Sequence, residues 1–389
     1  MCEATDPLYP HSSPMSRDPT IGVAMSAFNQ GHLVAESIES LLDQTRRPDR
    51  IVVVDDGSTD DTTSVVSRYE EHGVNLIRLK RRGVSEVLNT AAVNLETDYL
   101  AIQAADDVSR PERLEVELDA AETDGSLLVT SLPTVIDENS RTVDDKIASE
   151  FFTFPGDEVP LLRRLFKTGN LLCASSAFIR LDAFKMAGGF HPRLLHLQDH
   201  WLWVRLAGLG SVTRLGDRLV CYRRDSSGGN LSNPGNDHRM RVELGYCYRH
   251  FFDLASDERF IESFGDLLVD KGHDRALEEA LLLFRHTDPL AQQAGIDRLL
   301  ELATDRNYQR KLEELGLGPF EFFDAAGGVD VDRLKERTLL QAAHDEVVEQ
   351  RDAVQAAHDE VLGSFSYRVL RPVRFCGSRV RWLWKRGRA

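Results

Sequence analysis

The sequence predicts an α/β fold, a mostly parallel sheet flanked by helices, followed by a helical C-terminal region. Short apolar runs rich in β-branched residues alternate with amphipathic stretches from Thr20 to about Leu132, the pattern of successive strand–helix units. One of these runs, Ile51-Val-Val-Val54, stops abruptly at Asp55-Asp56-Gly57-Ser58. A buried parallel strand reads this way when it ends at a ligand crevice. From His238 to about Phe323 Leu, Ala and Glu dominate, a composition suited to packed helices.

The elements follow in order. Ile21–Met25 reads as the first strand, and His32–Gln44 carries Leu33, Ile38, Leu41 and Leu42 at helical spacing. Ile51–Val54 is the second strand, and Ser58, Thr59 and Asp60 are good helix-starting residues ahead of a helix over Thr62–Tyr69. A third strand is expected at Val74–Leu79, a third helix at Val84–Leu95, and a fourth strand at Tyr99–Gln103, which runs into Ala104-Ala105-Asp106-Asp107. Pro111 sits in the first turn of a helix reaching Glu122, where its missing N–H costs nothing. After Leu127–Leu132 the pattern loosens through Pro160. It recovers at Leu161–Thr168, Ala174–Ile179, a helix over His200–Leu209 and a short strand at Leu219–Tyr222. The expected organisation is a disordered stretch over 1–19, an α/β domain over 20–236 and a helical region over 237–327. A helix or coiled coil over 328–363 and a basic amphipathic tail over 364–389 complete it.

At 389 residues with 42% hydrophobic content, the chain is long enough for more than one core. No apolar run approaches the ~20 residues that span a bilayer, and residues 1–19 lack an apolar signal core. Cys2, Cys173, Cys221, Cys247 and Cys376 have no metal or disulfide spacing and read as reduced thiols. A cytoplasmic location is therefore expected, with peripheral contact at the inner face of the membrane an added expectation from the tail. The net charge of −16 is unevenly spread: residues 364–389 hold eight Arg or Lys and no acid, so the rest carries 39 basic against 63 acidic side chains. An acidic body excludes a nucleic-acid partner. Ala-Ala-His-Asp-Glu-Val recurs at 342–347 and 356–361, and Leu340, Val347, Val354 and Val361 fall seven apart. This register fits either self-association through 334–362 or a single amphipathic helix on the body. The tail mixes Arg with Trp, Phe and Leu, which suits either an anionic bilayer surface or docking on the acidic body.

Four segments carry chemistry together: Ser26-Ala27-Phe28-Asn29 after the first strand, Asp55-Asp56-Gly57-Ser58 after the second, Ala105-Asp106-Asp107 after the fourth, and Gly188-Gly189-Phe190 followed by Gln198-Asp199-His200-Trp201. In this order and spacing, residues 20 to 232 resemble the family 2 inverting glycosyltransferases of GT-A fold. The resemblance implies transfer of a hexosyl or deoxyhexosyl group from a nucleotide-diphosphate sugar to the hydroxyl of a carbohydrate or lipid-linked acceptor, in cell-surface polysaccharide or glycolipid synthesis. It further implies Asp55, with Asp56, as the base or ribose contact. Ser26, Ala27, Phe28 and Asn29 would line the nucleotide, Arg82 and Asn89 would lie beneath the diphosphate, and Asp106 would stand near it as metal ligand. Mn2+ or Mg2+ is the expected cofactor, because a hard cation neutralises a leaving diphosphate and prefers oxygen donors. Asp107 and Asp225 are the further candidate ligands.

By the same resemblance Asp199 is the expected general base, with Gln198 and Trp201 on the acceptor side. The chain departs from the family pattern at Ala104, where an acid is usual, at Leu88, where an Arg is usual, and at Gln198, where a Glu is usual. A Glu beside the base would raise its pKa through charge, whereas Gln can only hydrogen-bond. These departures motivate the alternative of a glycosyltransferase-like protein that binds nucleotide and assembles without catalysing. A dehydrogenase is excluded, since no Gly-x-Gly-x-x-Gly follows the first strand.

Overall fold

Alternation along the strands decides which side of the sheet each residue covers. Ile21, Val23, Met25, Ile51, Val53, Tyr99 and Ala101 fall on one face, and Ala24, Val52, Val54, Leu100 and Ile102 on the other, each face with its own buried cluster. Both faces are apolar, as a sheet covered by helices on both sides requires. The computed structural model describes residues 18–144, 152, 159–224, 237–269, 274–329 and 351. The N-terminal stretch before residue 18, Asp225, the tail and nearly all of the 328–363 segment lie outside the described residues.

The strands are β1 (Ile21–Ala27), β2 (Arg50–Asp55), β3 (Val74–Arg78), β4 (Tyr99–Ala104), β5 (Val108–Ser109), β6 (Leu128–Ile136), β7 (Phe178–Arg180) and β8 (Val212–Arg223). They form one eight-stranded sheet in the order β3-β2-β1-β4-β7-β6-β8-β5. β1 to β4 pair in parallel, as the alternation predicts. From β7 outward the sheet is mixed: β7 is antiparallel to β4 and β6, and β5 to β8, while β6 and β8 run parallel. β8 is far longer than the short strand expected at Leu219–Tyr222, because Val212–Arg214 pairs with Leu128–Thr130 before an irregularity in the register.

The helices are α1 (Val34–Leu42), α2 (Thr62–Val66), α3 (Val84–Val93), α4 (Arg113–Asp124), α5 (Leu161–Thr168), α6 (Leu181–Met186) and α7 (Gln198–Leu209), then α8 (Asp237–Arg249), α9 (Asp257–Phe264), α10 (Arg275–Phe284), α11 (Pro289–Leu302), α12 (Arg306–Glu314) and α13 (Pro319–Gly327). α1, α2 and α4 cover one face of the sheet through Val34, Ile38, Leu41, Val65 and Leu114, and α3 covers the other through Val87, Leu88 and Ala91. The helix expected over Thr62–Tyr69 is α2 continued by a 3-10 turn, Ser67–His72.

Packing runs without a break across residue 237. Phe166 on α5 touches the rings of Tyr248, Phe251, Phe252, Phe264 and His286, so the helical region shares the core of the sheet's second face. The buried His286 ring also bonds the Phe166 carbonyl through Nε2 at 2.8 Å. One compact unit extends to Gly318. A second, residues 319–389, contributes α13 to the described residues.

Candidate active site

Register brings the carboxyl ends of three parallel strands level: Ala27 lies opposite Asp55, and Ser26 opposite Ala104. Ligands in open α/β sheets bind beyond these ends. Ser26 and Phe28 are half-buried, Ala27 is buried, and Asn29 is exposed with φ +53°. Asn29 ties the first two tips together, since its N–H donates to Ser58 Oγ at 2.8 Å and its Oδ1 accepts from the Thr59 N–H at 2.9 Å. The Gln30 N–H donates to Thr62 Oγ1 at 2.8 Å, a second tie.

Asp55 has no exposed surface. The Ser58 N–H donates to its two oxygens at 3.2 and 3.1 Å, the Ser58 hydroxyl donates to Oδ1, and Arg78 Nε lies 3.6 Å from Oδ2. Asp56 holds the next loop, with Oδ1 accepting from the Arg82 N–H and Oδ2 from the Gly83 N–H at 2.9 Å. Gly57 between them has φ +85°, a left-handed backbone that a side chain would strain. The Asp pair therefore fixes the chain after β2 and the approach to α3. Above this loop the Arg81 guanidinium stacks on Phe28, 4.1 Å from the ring centre, while the Arg82 side chain is exposed.

Asn89 is bonded on both amide atoms to Phe190: its Nδ2 donates to the carbonyl at 2.7 Å and its Oδ1 accepts from the N–H at 2.9 Å. It fastens α3 to the Gly188-Gly189-Phe190 loop. Gly189, at φ +66°, leaves no room for a Cβ, which would meet Asn89 Oδ1 at 2.7 Å. The Ser85 hydroxyl makes a parallel bond to the Leu194 carbonyl at 2.8 Å.

At the end of β4 the two acids part. Asp106 is half-buried, whereas Asp107 is 2% exposed and turned inward, its Oδ1 accepting from the Arg223 N–H at 2.8 Å. Burial first, and the neighbouring Asp106 charge second, push the Asp107 carboxyl well above the ordinary range, while Ser175 and Arg223 oppose the shift. Arg223, at the end of β8, clamps the turn. Its Nε donates to the Asp106 carbonyl at 2.7 Å, and its two terminal nitrogens reach the Asp137 carbonyl and Glu36 Oε2 at 2.7 Å each. Beneath lies a buried network. Arg113 bonds Gln103 Oε1 at 2.8 Å and the Ile102 carbonyl at 3.1 Å, and pairs with Glu117 at 3.1 Å.

Asp199 stands in the first turn of α7. Asn170 Nδ2 donates to its Oδ2 at 2.6 Å and the His200 N–H donates to its Oδ1 at 2.7 Å. Burial raises its carboxyl to about 6, and Glu243 adds to the rise, against the hydrogen bonds to the carboxylate. Five residues after Asn170, Ser175 donates to Asp107 and its hydroxyl accepts from the Ala104 N–H at 3.2 Å. Five residues reach at most about 18 Å when fully extended, so one short segment tethers Asp199 to the Asp106-Asp107 turn. Trp201 is 9% exposed, stacked on Tyr246 at 5.4 Å and edge-on to His191 at 5.3 Å, with Arg205 over its ring. Trp203 is wholly buried on the other side of the helix. Gln198 is half-buried, and its Oε1 is a buried oxygen that accepts no hydrogen bond among the described residues.

A cation at the 106–107 turn would meet oxygen donors only, which suits Mg2+ or Mn2+. Among the described residues no three His, Cys, Asp or Glu side chains converge into a metal cage. Asp106 is thus the half-buried donor, and a diphosphate would have to supply most of the remaining ligands. Arg223, Asn170, Ser175 and Glu243 are the functional neighbours that sequence reasoning missed. Arg223 stands in the Tyr222-Arg-Arg-Asp225 segment that ends an apolar strand and leads to the candidate ligand Asp225, while the other three stand in no motif.

Acids follow the tips of β2 and β4, and a further carboxyl stands at the start of α7, beside one mixed eight-stranded sheet. Residues 22–186 match the sequence model of Glycosyl transferase family 2. Chondroitin synthase of Escherichia coli is 25% identical over 224 residues, covering 57% of this chain but 31% of that protein. WfgD of E. coli, a UDP-Glc:alpha-D-GlcNAc-diphosphoundecaprenol beta-1,3-glucosyltransferase, is 21% identical over 217 residues, covering 56% of this chain and 81% of its own. The crystal structure of S. aureus TarS 1–349 in complex with UDP-GlcNAc shares the fold with a TM-score of 0.50 at 18% identity, over 83% of this chain and 92% of that one. The family match covers less than half of the chain, and the fold shared with TarS is the GT-A fold. Among the described residues no helix is long and apolar enough to cross a membrane.

Proposed function

We propose that the chain transfers a hexosyl or deoxyhexosyl group from a nucleotide-diphosphate sugar to an acceptor hydroxyl, with inversion and dependence on a divalent cation, in the synthesis of a surface polysaccharide or glycolipid. The observation that carries this reading is Asp199: a carboxyl at a helix start, raised to about 6, tethered through Asn170 and Ser175 to the acid turn at the end of β4. A base poised near the operating pH is what proton removal from an alcohol needs.

In this reading Asp199 takes the acceptor proton as the acceptor oxygen bonds to the anomeric carbon. The carbon–oxygen bond to the diphosphate breaks on the opposite face, and its electron pair leaves with the diphosphate. Asn170 and the His200 N–H each occupy one carboxylate oxygen and fix its plane, and a lone-pair direction remains for the proton. Asp106, with Asp107 behind it, would hold Mn2+ or Mg2+, which when bound neutralises charge on the leaving diphosphate. Arg223 fixes the backbone of that turn. Asp55, Asp56 and Asn29 shape the pocket for base and ribose. The wider proposals are peripheral membrane contact through 364–389 and self-association through 334–362.

A thermal-shift screen of UDP, GDP and dTDP with and without Mn2+ tests the donor side, since a ligand of the native state raises the melting temperature with its affinity. A metal-dependent rise for one nucleotide, with turnover of the matching sugar donor, is the expected result. Binding without any turnover would favour an assembly protein instead.

A further inference from the structure

We propose that Glu243 is a positioning residue for Asp199: from α8 it pins the chain that leads into the Asp199 helix and supplies the negative neighbour that Gln198 cannot. The inference rests on the reading of Asp199 as the base. Glu243 lies outside the segment matched by the family model, in the helical region that otherwise holds no obvious chemistry.

Three consecutive amides converge on this one carboxylate. Oε1 accepts from the Leu195 N–H, and Oε2 accepts from the His196 and Leu197 N–H groups, all at 2.9 Å. Leu197 is the residue that caps α7, and it has no side-chain cap of its own. A carboxylate on the amides of a helix entry is charge-assisted and favourably placed in the field of the helix. Glu243 therefore fixes the level at which Asp199, two residues further on, enters the site. The same loop is held from the other side by the Ser85 bond to Leu194, so its position is set by α3 and α8 together.

The groups that face Asp199 come from three elements: Asn170 from the segment after α5, Gln198 and the His200 N–H from α7 itself, and Glu243 and the buried Cys247 thiol from α8. Of these Glu243 is the one carrying negative charge, and it adds to the rise of the Asp199 carboxyl that burial begins. In the family pattern such a charge stands next to the base along the chain. Here it arrives across space from a helix about forty residues downstream.

The test is the titration of the Asp199 carboxyl, followed by 13C NMR on chain labelled at Asp and assigned by difference against Asp199→Asn. Removing a negative neighbour stabilises the carboxylate, so Glu243→Gln is expected to lower the midpoint by about half a unit or more. The acid limb of turnover should move to lower pH by the same amount, with rate at neutral pH falling several-fold. Glu243→Asp keeps the charge and should hold the midpoint closer to the unaltered value while the three amides exchange faster. An unchanged midpoint in folded Glu243→Gln would overturn the proposal. Should that variant not fold, rapid hydrogen exchange at residues 195–197 in the unaltered chain would overturn it as well. Full activity in Asp199→Asn is a different outcome: it removes the base reading while the midpoint shift still reports the contact.

Discussion

At the tip of β2 two acids are bonded into their own loops, whereas at the start of α7 a single acid is held by donors from two elements and its carboxyl is raised by burial. Asp55 takes donors from the Ser58 backbone and hydroxyl, and Asp56 takes the Arg82 and Gly83 amides. Each of these bonds crosses a turn, so the carboxylates set loop shape for whatever ligand the loops receive. Asp199 has donors from the His200 amide, its own amide and the Asn170 side chain, burial that disfavours its charge, and a second carboxylate close by. The first arrangement suits recognition, which needs fixed geometry. The second suits proton transfer, which needs a group that can change state. The turn after β4 combines them, with Asp107 buried as a strut and Asp106 half-buried beside it.

The largest break in this contrast should come from Asp199→Asn. Loss of a general base costs turnover about 10²–10⁴-fold, and the donor-induced melting shift should be unchanged because the strand tips are untouched. Full turnover in this variant would remove the contrast altogether. The unaltered enzyme should carry the same signature in its pH profile. If Asp199 is the base it works deprotonated, and with its carboxyl raised to about 6 turnover should rise with pH up to that value and level off above it. Next in size is Asp106→Asn, expected to lower turnover by about 10²-fold, in line with loss of one charge-stabilising group. It should also abolish the difference between nucleotide melting shifts with and without Mn2+; a preserved difference would move the cation elsewhere. Arg223→Met follows. It strands the Asp106 and Asp137 carbonyls and frees Glu36 while the backbone N–H on Asp107 is kept, for a stability loss of about 2–3 kcal/mol by denaturant titration.

The two regions also differ in how far the sequence announced them. β1 to β4 were legible because each is a contiguous apolar run whose acid tip follows directly along the chain; Ile51–Val54 with Asp55-Asp56 needs only local periodicity. α7 was legible from its own spacing, and Asp199 from the resemblance. What surrounds Asp199 was not, because Asn170 and Glu243 approach from elements that tertiary packing alone brings near. β7 was marked only as the end of the patterned segment Ala174–Ile179, a three-residue strand being too short for a pattern of its own, and most of β8 escaped because polar residues such as Thr213, Arg214 and Asp217 interrupt its alternation. Asn89 carries a structural load that its motif position does not announce. Its motif position pointed to the nucleotide, while its amide is bonded to the Phe190 backbone across the fold. A motif names a place along the chain, and an amide in that place can be used to hold two elements together.

The smallest expected effect is also the one that bears on the loop-setting role of the Asp pair. Ser58→Ala removes the hydroxyl that donates to Asp55 and accepts from the Asn29 N–H, so it cuts the bridge between the β1 and β2 tips. Asp55 keeps the Ser58 backbone N–H, and the Asn29 N–H that loses its acceptor belongs to an exposed residue, where water can take the place of the hydroxyl. The net cost should therefore be near that of a single hydrogen bond, about 1 kcal/mol in unfolding free energy. If the tips serve recognition, the same change should weaken nucleotide binding a few-fold by calorimetry and leave the pH midpoint of turnover where it was. A shift of that midpoint instead would mean that the strand tips and the α7 carboxyl are electrostatically one site, and the division of labour between them would fall.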